Sequence, residues 1–200
     1  MLVSIVITNY NKGQFLPFLF KILELTLKPN AEVIVIDDCS TQDFDFEVLN
    51  KCNFKVIYNK ENKGIGYVRN QALKLVTGKY IVFIDGDDWV SMDYIDTILY
   101  LATLDYDIIH FPSMEYSSTA QVNNNFNSYY LWSNLYRMDF IKKNKISFPI
   151  VEIGEDYDFN QTLLTYNPRI YNYEHTPIYF YNLYSGCNIS HGDAIWWIVR

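Results

Sequence analysis

The sequence predicts an α/β protein built on a doubly wound, mostly parallel sheet. Three observations carry that reading. Residues 2–8 (LVSIVIT), 31–38 (AEVIVIDD) and the run Ile81-Val82-Phe83-Ile84 are apolar without alternation, as strands buried on both faces are. Segments with helical apolar spacing separate them. Each run also ends in a polar cluster, at the carboxyl ends where open α/β sheets bind ligands.

Taken in order, residues 2–8 form the first strand; with no basic region or cleavage site, a strand is expected here and not a signal peptide. Residues 15–25 place Phe15, Phe18, Leu19 and Ile22 at helical spacing, with Pro17 in the first turn, where its missing N–H costs nothing. The second strand (31–38), a short helix (44–49) and a strand at 54–59 (FKVIYN) follow. Ile65, Val68, Ala72, Leu75 and Val76 share one face of the next helix, which Gly78 stops before the strand from Tyr80. These elements make a doubly wound half over residues 1–112.

Residues 113–200 are less regular and read as a smaller mixed region merged with the first. Ahead of them come a helix at 93–103 and a strand at 106–111. Then follow an Asn-rich loop at 117–128, helices at 137–144 and 154–166, and closing strands in RIYNYE and PIYFYNLY. No internal repeat or sharp linker divides the chain, so one domain with a shared core is expected.

Composition narrows the function. Of 200 residues, half are hydrophobic and one fifth charged, as in globular proteins. The 18 tyrosines and 13 phenylalanines suit wide aromatic surfaces. A net charge of −7 argues against nucleic acid or an anionic membrane as a partner held by bulk charge, so an anionic substrate needs a local cation. Cys39, Cys52 and Cys187 are odd in number and show no C-x-x-C spacing, which fits reduced thiols in a cytosolic protein. No apolar run approaches the ~20 residues of a membrane span.

The stretch YIVFIDGDDWV brings Asp85, Asp87 and Asp88 to the end of a buried strand. Like charges repel by about 4 kcal/mol at ~4 Å in a surface-like dielectric, so a positive partner is expected there. Carboxylates without a His or Cys cluster suit Mg²⁺ or Mn²⁺, and a metal with few protein ligands keeps sites for diphosphate oxygens. Gly86 would let a phosphate approach the backbone. Thr8-Asn9-Tyr10-Asn11 and Asp37-Asp38 end the first and second strands and would line the same crevice; the plainer alternative is that they only make turns and caps. In GEDYDF, Asp156 and Glu155 both lie near the Phe159-Leu163-Tyr166 stripe at a helix N-terminus. Spacing does not separate the two, and complementing the helix dipole would explain both.

Five blocks, VSIVITNYNKGQFLPFLFKIL, EVIVIDDCSTQD, NKGIGYVRNQALKLVTGKYIVFIDGDDWV, LWSNLYRMDFIKKNKISFP and GEDYDFNQTLL, resemble in order those of family 2 glycosyltransferases of the GT-A fold. The resemblance runs from Val3 to Tyr166 and more loosely to His191. It implies a metal-dependent, inverting transfer of sugar from a nucleotide-diphosphate sugar, UDP being the expected nucleotide, to a hydroxyl of a glycan or glycolipid. It further implies that Thr8 and Asp38 hold the base, with Asp38 accepting from a uracil imide and Tyr10 packing beside the ring. Asp85 would contact ribose or the metal's water shell, Asp87 would ligate Mn²⁺ or Mg²⁺, Asp88 would lie on the donor side or cap the following turn, and Arg69 would help orient the diphosphate and the acidic motif. Asp156 would be the catalytic base, with Glu155 beside it toward the acceptor. Trp132 would stack on an acceptor sugar or sit in the core, and His191 would belong to a loop over the donor. His110 and His175 read as structural.

Cys39 departs from the family's usual Gly after the Asp pair, which questions the turn there. The apolar run at 194–199 could pack on the core, touch a membrane surface or mark a domain cut from a longer chain. The expected setting is the cytoplasm, either free or at the inner face of a membrane. The competing enzyme class is a sugar-phosphate nucleotidyltransferase, which needs a Gly-rich basic loop after the first strand. Here that loop, TNYNKGQF, supplies only Lys12 and Gly13.

Overall fold

The computed structural model describes residues 1–41, 52–116 and 130–183. The helix expected at 44–49, the loop at 117–128, Cys187, His191 and the run at 194–199 lie outside the described residues.

The chain begins β1 (Val3–Asn9), α1 (Leu16–Thr26), β2 (Ala31–Asp37), β3 (Lys55–Tyr58), α2 (Ile65–Leu75) and β4 (Tyr80–Asp85). It continues through β5 (Trp89–Val90), α3 (Tyr94–Leu101), a 3₁₀ turn, β6 (Ile108–His110) and β7 (Ser113–Tyr116). After a 3₁₀ turn at Leu131–Ser133 come β8 (Asn134–Arg137), α4 (Met138–Lys143), α5 (Glu155–Leu164), β9 (Ile170–Asn172) and β10 (Tyr179–Asn182).

Seven strands form the main sheet in the order β3-β2-β1-β4-β8-β6-β9. The first four are parallel; β8 runs antiparallel to β4 and β6, and β9 is parallel to β6. The doubly wound half and the mixed second half thus share one sheet of the GT-A kind. A three-stranded sheet, β5-β10-β7, stands beside the end of β4.

Strand alternation explains the two cores. Ile5, Ile7, Val33, Val35, Val82 and Ile84 face α1 and α3, with Leu19, Leu23, Ile95 and Ile98. Val6, Ile34, Ile36, Ile81 and Phe83 face the other way, onto Val68 and Ala72 of α2, Met138 and Ile141 of α4, and Phe159 and Leu163 of α5. Each such side chain is worth about 1.5–3 kcal/mol of burial. A one-residue slip of β1 would send one apolar set into the other's place and carry Thr8 away from β4, so core packing sets the register that the site uses.

Three strands escape the sequence reading. β5, β7 and β8 span two to four residues, too short for a period to show. The helix expected from residue 137 starts at Met138, because Arg137 is the last residue of β8. Among the described residues no helix is long and apolar enough to cross a membrane.

Candidate active site

β1 sits between β2 and β4, so the chain winds one way from β1 to β3 and then crosses to the far side of β1. Open sheets bind ligands beyond the carboxyl ends at such a reversal. There Thr8 stands opposite Asp85 in register, and its hydroxyl donates to Asp85 Oδ1 at 3.1 Å. The Gly86 N–H donates to the Thr8 carbonyl at 2.9 Å. A Cβ on Gly86 would meet that same carbonyl oxygen at 2.9 Å, so the absent side chain serves the contact between β1 and the β4 turn.

A cavity of about 150 Å³ opens at this point, lined by Thr8, Asn9, Tyr10, Asp38, Asn62, Gly64, Ile65 and Val68. Tyr10 is exposed and forms one wall. The buried Asp38 builds another: its Oδ1 accepts from Asn59 Nδ2 at 2.8 Å, and its Oδ2 accepts the Lys63 and Gly64 N–H groups at 3.0 and 2.8 Å. A carboxylate offers about four acceptor positions, which leaves one on Oδ1. Asp37 is spent differently, closing the turn onto Asn9 and Ser40. Cys39 adopts φ 63° in that turn, the left-handed conformation a glycine would take without strain, so the turn survives the substitution noted in the sequence. The sequence reading names neither Asn62 nor Gly64, and names Ile65 only as part of a helix face; a glycine one residue ahead of a helix that starts at the crevice is the available signal.

The three aspartates after β4 part company. Asp85 receives Arg69 Nη2 at 3.0 Å. Asp87, partly exposed, pairs with Lys12 Nζ at 2.8 Å. Asp88 is 1% exposed and turns inward, where it accepts the Tyr179 hydroxyl and the Asn182 N–H, the latter at 2.8 Å. Burial, with Asp85 and Asp87 nearby, holds the Asp88 carboxyl well above the usual range, and burial also raises the Tyr179 phenol. The donor-side role expected of Asp88 is therefore corrected: it anchors β10 to the β4–β5 turn.

Arg69 touches the acidic motif that it is expected to orient, through Asp85. It is 4% exposed, with one guanidinium nitrogen on Asp85 and another on Glu155, the first residue of α5. Its Nε is buried without a hydrogen-bond partner among the described residues. Both forks are committed to carboxylates, so the side chain ties α2, β4 and α5 together and does not face the crevice. Glu155, 7% exposed, is the inward member of the Glu-Asp pair and is not open to an acceptor. Asp156 remains half-buried, its Oδ1 accepting the Tyr157 N–H at 2.8 Å. The structure thus separates two residues that spacing left together. Gly66 contributes from α2: a Cβ there would collide with the Pro149 carbonyl, so its absence lets the segment leading to α5 close on α2.

Trp132 is 5% exposed, stacked with Tyr130 at 4.7 Å and with Tyr179 and Tyr181 at 4.9 and 5.4 Å between ring centroids. The outer ring of this stack is Tyr130, 38% exposed, so Trp132 lies in the core and the sugar-stacking expectation for it is corrected. His110 is buried against Asn134 and His175 packs beside Tyr173; neither joins the crevice.

Among the described residues no three His, Cys, Asp or Glu groups converge. Asp87 is the strand-end carboxylate neither bound to Arg69 nor turned inward. An all-oxygen seat with a single protein carboxylate fits Mg²⁺ or Mn²⁺ completed by water and phosphates, and it fits no metal that needs a protein cage.

Comparison with known proteins agrees with this geometry. The chain is 39% identical over 107 residues to the UDP-Glc:alpha-D-GlcNAc-diphosphoundecaprenol beta-1,3-glucosyltransferase WfaP of Escherichia coli, covering 51% of this chain and 42% of WfaP. It is 28% identical over 168 residues to the poly(ribitol-phosphate) beta-N-acetylglucosaminyltransferase TarS of Staphylococcus aureus, covering 73% of this chain and 29% of TarS. The crystal structure of S. aureus TarS 1-349 in complex with UDP superposes with a TM-score of 0.78 at 26% identity, over 92% of this chain and 61% of that one. The chain therefore spans less than two thirds of the length of each of these relatives. The family description "Glycosyl transferase family 2" matches residues 4–153, from β1 to the segment just ahead of α5. Matched over most of its length, and folded with the crevice at the β1–β4 reversal, the chain belongs to glycosyl transferase family 2.

Proposed function

We propose that the chain is the catalytic domain of an inverting glycosyltransferase that moves a sugar from a UDP-sugar to a hydroxyl of a glycan or lipid-linked glycan. The observation that carries this reading is the Asp85–Arg69–Glu155 bridge. It ties the strand-end crevice, where a nucleotide would lie, to the helix that presents Asp156. A binding module would need the crevice but not a buried ion bridge to a second carboxylate-bearing helix.

The base enters the cavity beside Tyr10, with Thr8 and the remaining acceptor position of Asp38 oriented toward it. Asp87 would hold a Mn²⁺ or Mg²⁺ ion, which would supply Lewis-acid neutralisation of the diphosphate charge. Asp156 takes the proton from the acceptor hydroxyl as that oxygen attacks the anomeric carbon. The C–O bond to the diphosphate breaks in the same displacement, and configuration inverts. The names of WfaP and TarS, together with the TarS complex with UDP, support UDP as the nucleotide and a cell-surface glycan as the product. The reaction is placed in the cytoplasm, at the inner membrane face when the acceptor is lipid-linked.

Titration calorimetry with a panel of nucleotide sugars, with and without Mn²⁺, tests the reading. Metal-strengthened binding of one UDP-sugar is the expected result. Equal binding of nucleoside triphosphates, with pyrophosphate released on turnover, would assign the chain to nucleotidyl transfer instead.

A further inference from the structure

Lys12 holds a position that none of the roles above uses. It lies in the loop between β1 and α1, and its ammonium is 2.8 Å from Asp87 Oδ2. The loop is fixed from the β2 side. Asn11 adopts φ 54°, its N–H donates to Ser40 Oγ at 2.8 Å, and its Oδ1 accepts the Thr41 N–H at 2.8 Å. Ser40 Oγ is itself held on Asp37 at 2.6 Å. A loop anchored on β2 therefore sends a cation across the crevice to a carboxylate that follows β4.

The charge balance of the crevice makes this pair consequential. A nucleoside diphosphate brings negative charge to a place already lined by Asp85 and Asp87. Arg69, the cation expected to meet it, is buried with both forks on carboxylates. Among the described residues, Lys12 is the other cation in contact with these aspartates, and it is partly exposed. A divalent ion seated on Asp87 repels an ammonium in contact with the same carboxylate, which favours movement of the lysine away from it. The lysine stem is flexible and its charge compact, so it can move by rotamer change alone.

We propose that Lys12 is a donor-binding residue. It neutralises Asp87 in the donor-free protein, and it shifts onto a phosphate oxygen of the nucleoside diphosphate when donor and divalent ion enter. This rests on the reading of the crevice as a nucleotide-sugar site and deepens it, assigning to Lys12 the diphosphate contact that the sequence assigned to Arg69.

The test uses the full chain, its Lys12→Gln and Lys12→Arg variants, and three probes: Mn²⁺ alone followed by electron paramagnetic resonance, and UDP and uridine followed by calorimetry. Lys12→Gln is expected to bind UDP about tenfold more weakly, the loss of one charge-assisted hydrogen bond. Uridine, which lacks the phosphates, should bind the variant as it binds wild type. Mn²⁺ without nucleotide should bind Lys12→Gln several-fold more tightly, its competitor being gone. Lys12→Arg should recover most of the UDP affinity. Unchanged UDP affinity in Lys12→Gln overturns the proposal and leaves Lys12 a surface ion pair, whatever Mn²⁺ does. Equal weakening of uridine and UDP also overturns it, since the defect would then lie in the cavity. Wild type that binds neither UDP nor UDP-sugars would instead overturn the reading of the site itself, and the role of Lys12 with it.

Discussion

Arg69 and Glu155, 86 residues apart in sequence, form a buried ion pair that fastens α5 to α2. The same guanidinium reaches Asp85 at the end of β4. Removing one partner of such a pair strands charge in the interior, and Arg69→Ala strands two carboxylates. The expected cost is about 3–5 kcal/mol, read by urea denaturation. Arg69→Lys should recover less than half, because one ammonium cannot reproduce the two-pronged contact. Equal stability of Arg69→Ala and wild type would show that the bridge contributes nothing.

Tyr179 supports Asp88 from β10, across 91 residues of sequence. Tyr179→Phe leaves a buried carboxylate short of one donor and should cost about 2 kcal/mol, measured by the same denaturation. Because Asp88 faces the core, UDP affinity in this variant should stay within twofold of wild type by calorimetry.

Cys39 carries a left-handed backbone at the end of β2, which costs a side-chain-bearing residue roughly 1–2 kcal/mol. Glycine returns part of that gain through its freer unfolded chain. Cys39→Gly should therefore stabilise by about 0.5–1 kcal/mol, raising Tm by roughly 1–4 °C in scanning calorimetry.

His110 links stability to pH. Burial lowers its pKa below the ordinary imidazole range, with its bond to Asn134 acting in the opposite sense. Between the unfolded and folded values the unfolded chain binds a proton that the folded chain refuses. The contribution of His110 is thus complete above the unfolded pKa and is lost as pH falls through the folded one. Tm measured from pH 7.5 down to pH 5 should drop more in wild type than in His110→Asn.

Much of this was legible in the residues, for identifiable reasons. Long buried strands announce themselves by unbroken apolar runs, so β1, β2 and β4 and the polar clusters at their ends could be placed. Thr8, Tyr10 and Asp38 do meet in one cavity. What escaped depends on contacts distant in sequence. Nothing near Asp88 says that Tyr179 will draw it inward. Arg69 sits one residue from the apolar stripe of α2, and only the arrival of α5 makes it a buried bridge. The same bridge separates Glu155 from Asp156, which helical spacing could not do. β8 is four residues wedged between a 3₁₀ turn and α4, and its pairing to β4 covers only Tyr80 and Ile81, too little to leave a pattern.

The central claim is that the crevice beside Asp85 and the carboxylate of Asp156 act on one substrate pair. The most direct measurement is the transfer rate of Asp156→Asn with the UDP-sugar that binds wild type, alongside its affinity for that donor. Donor affinity within twofold of wild type, with transfer reduced by about 10²–10⁴-fold, is the predicted outcome for loss of a general base. Transfer within tenfold of the native rate would contradict the account.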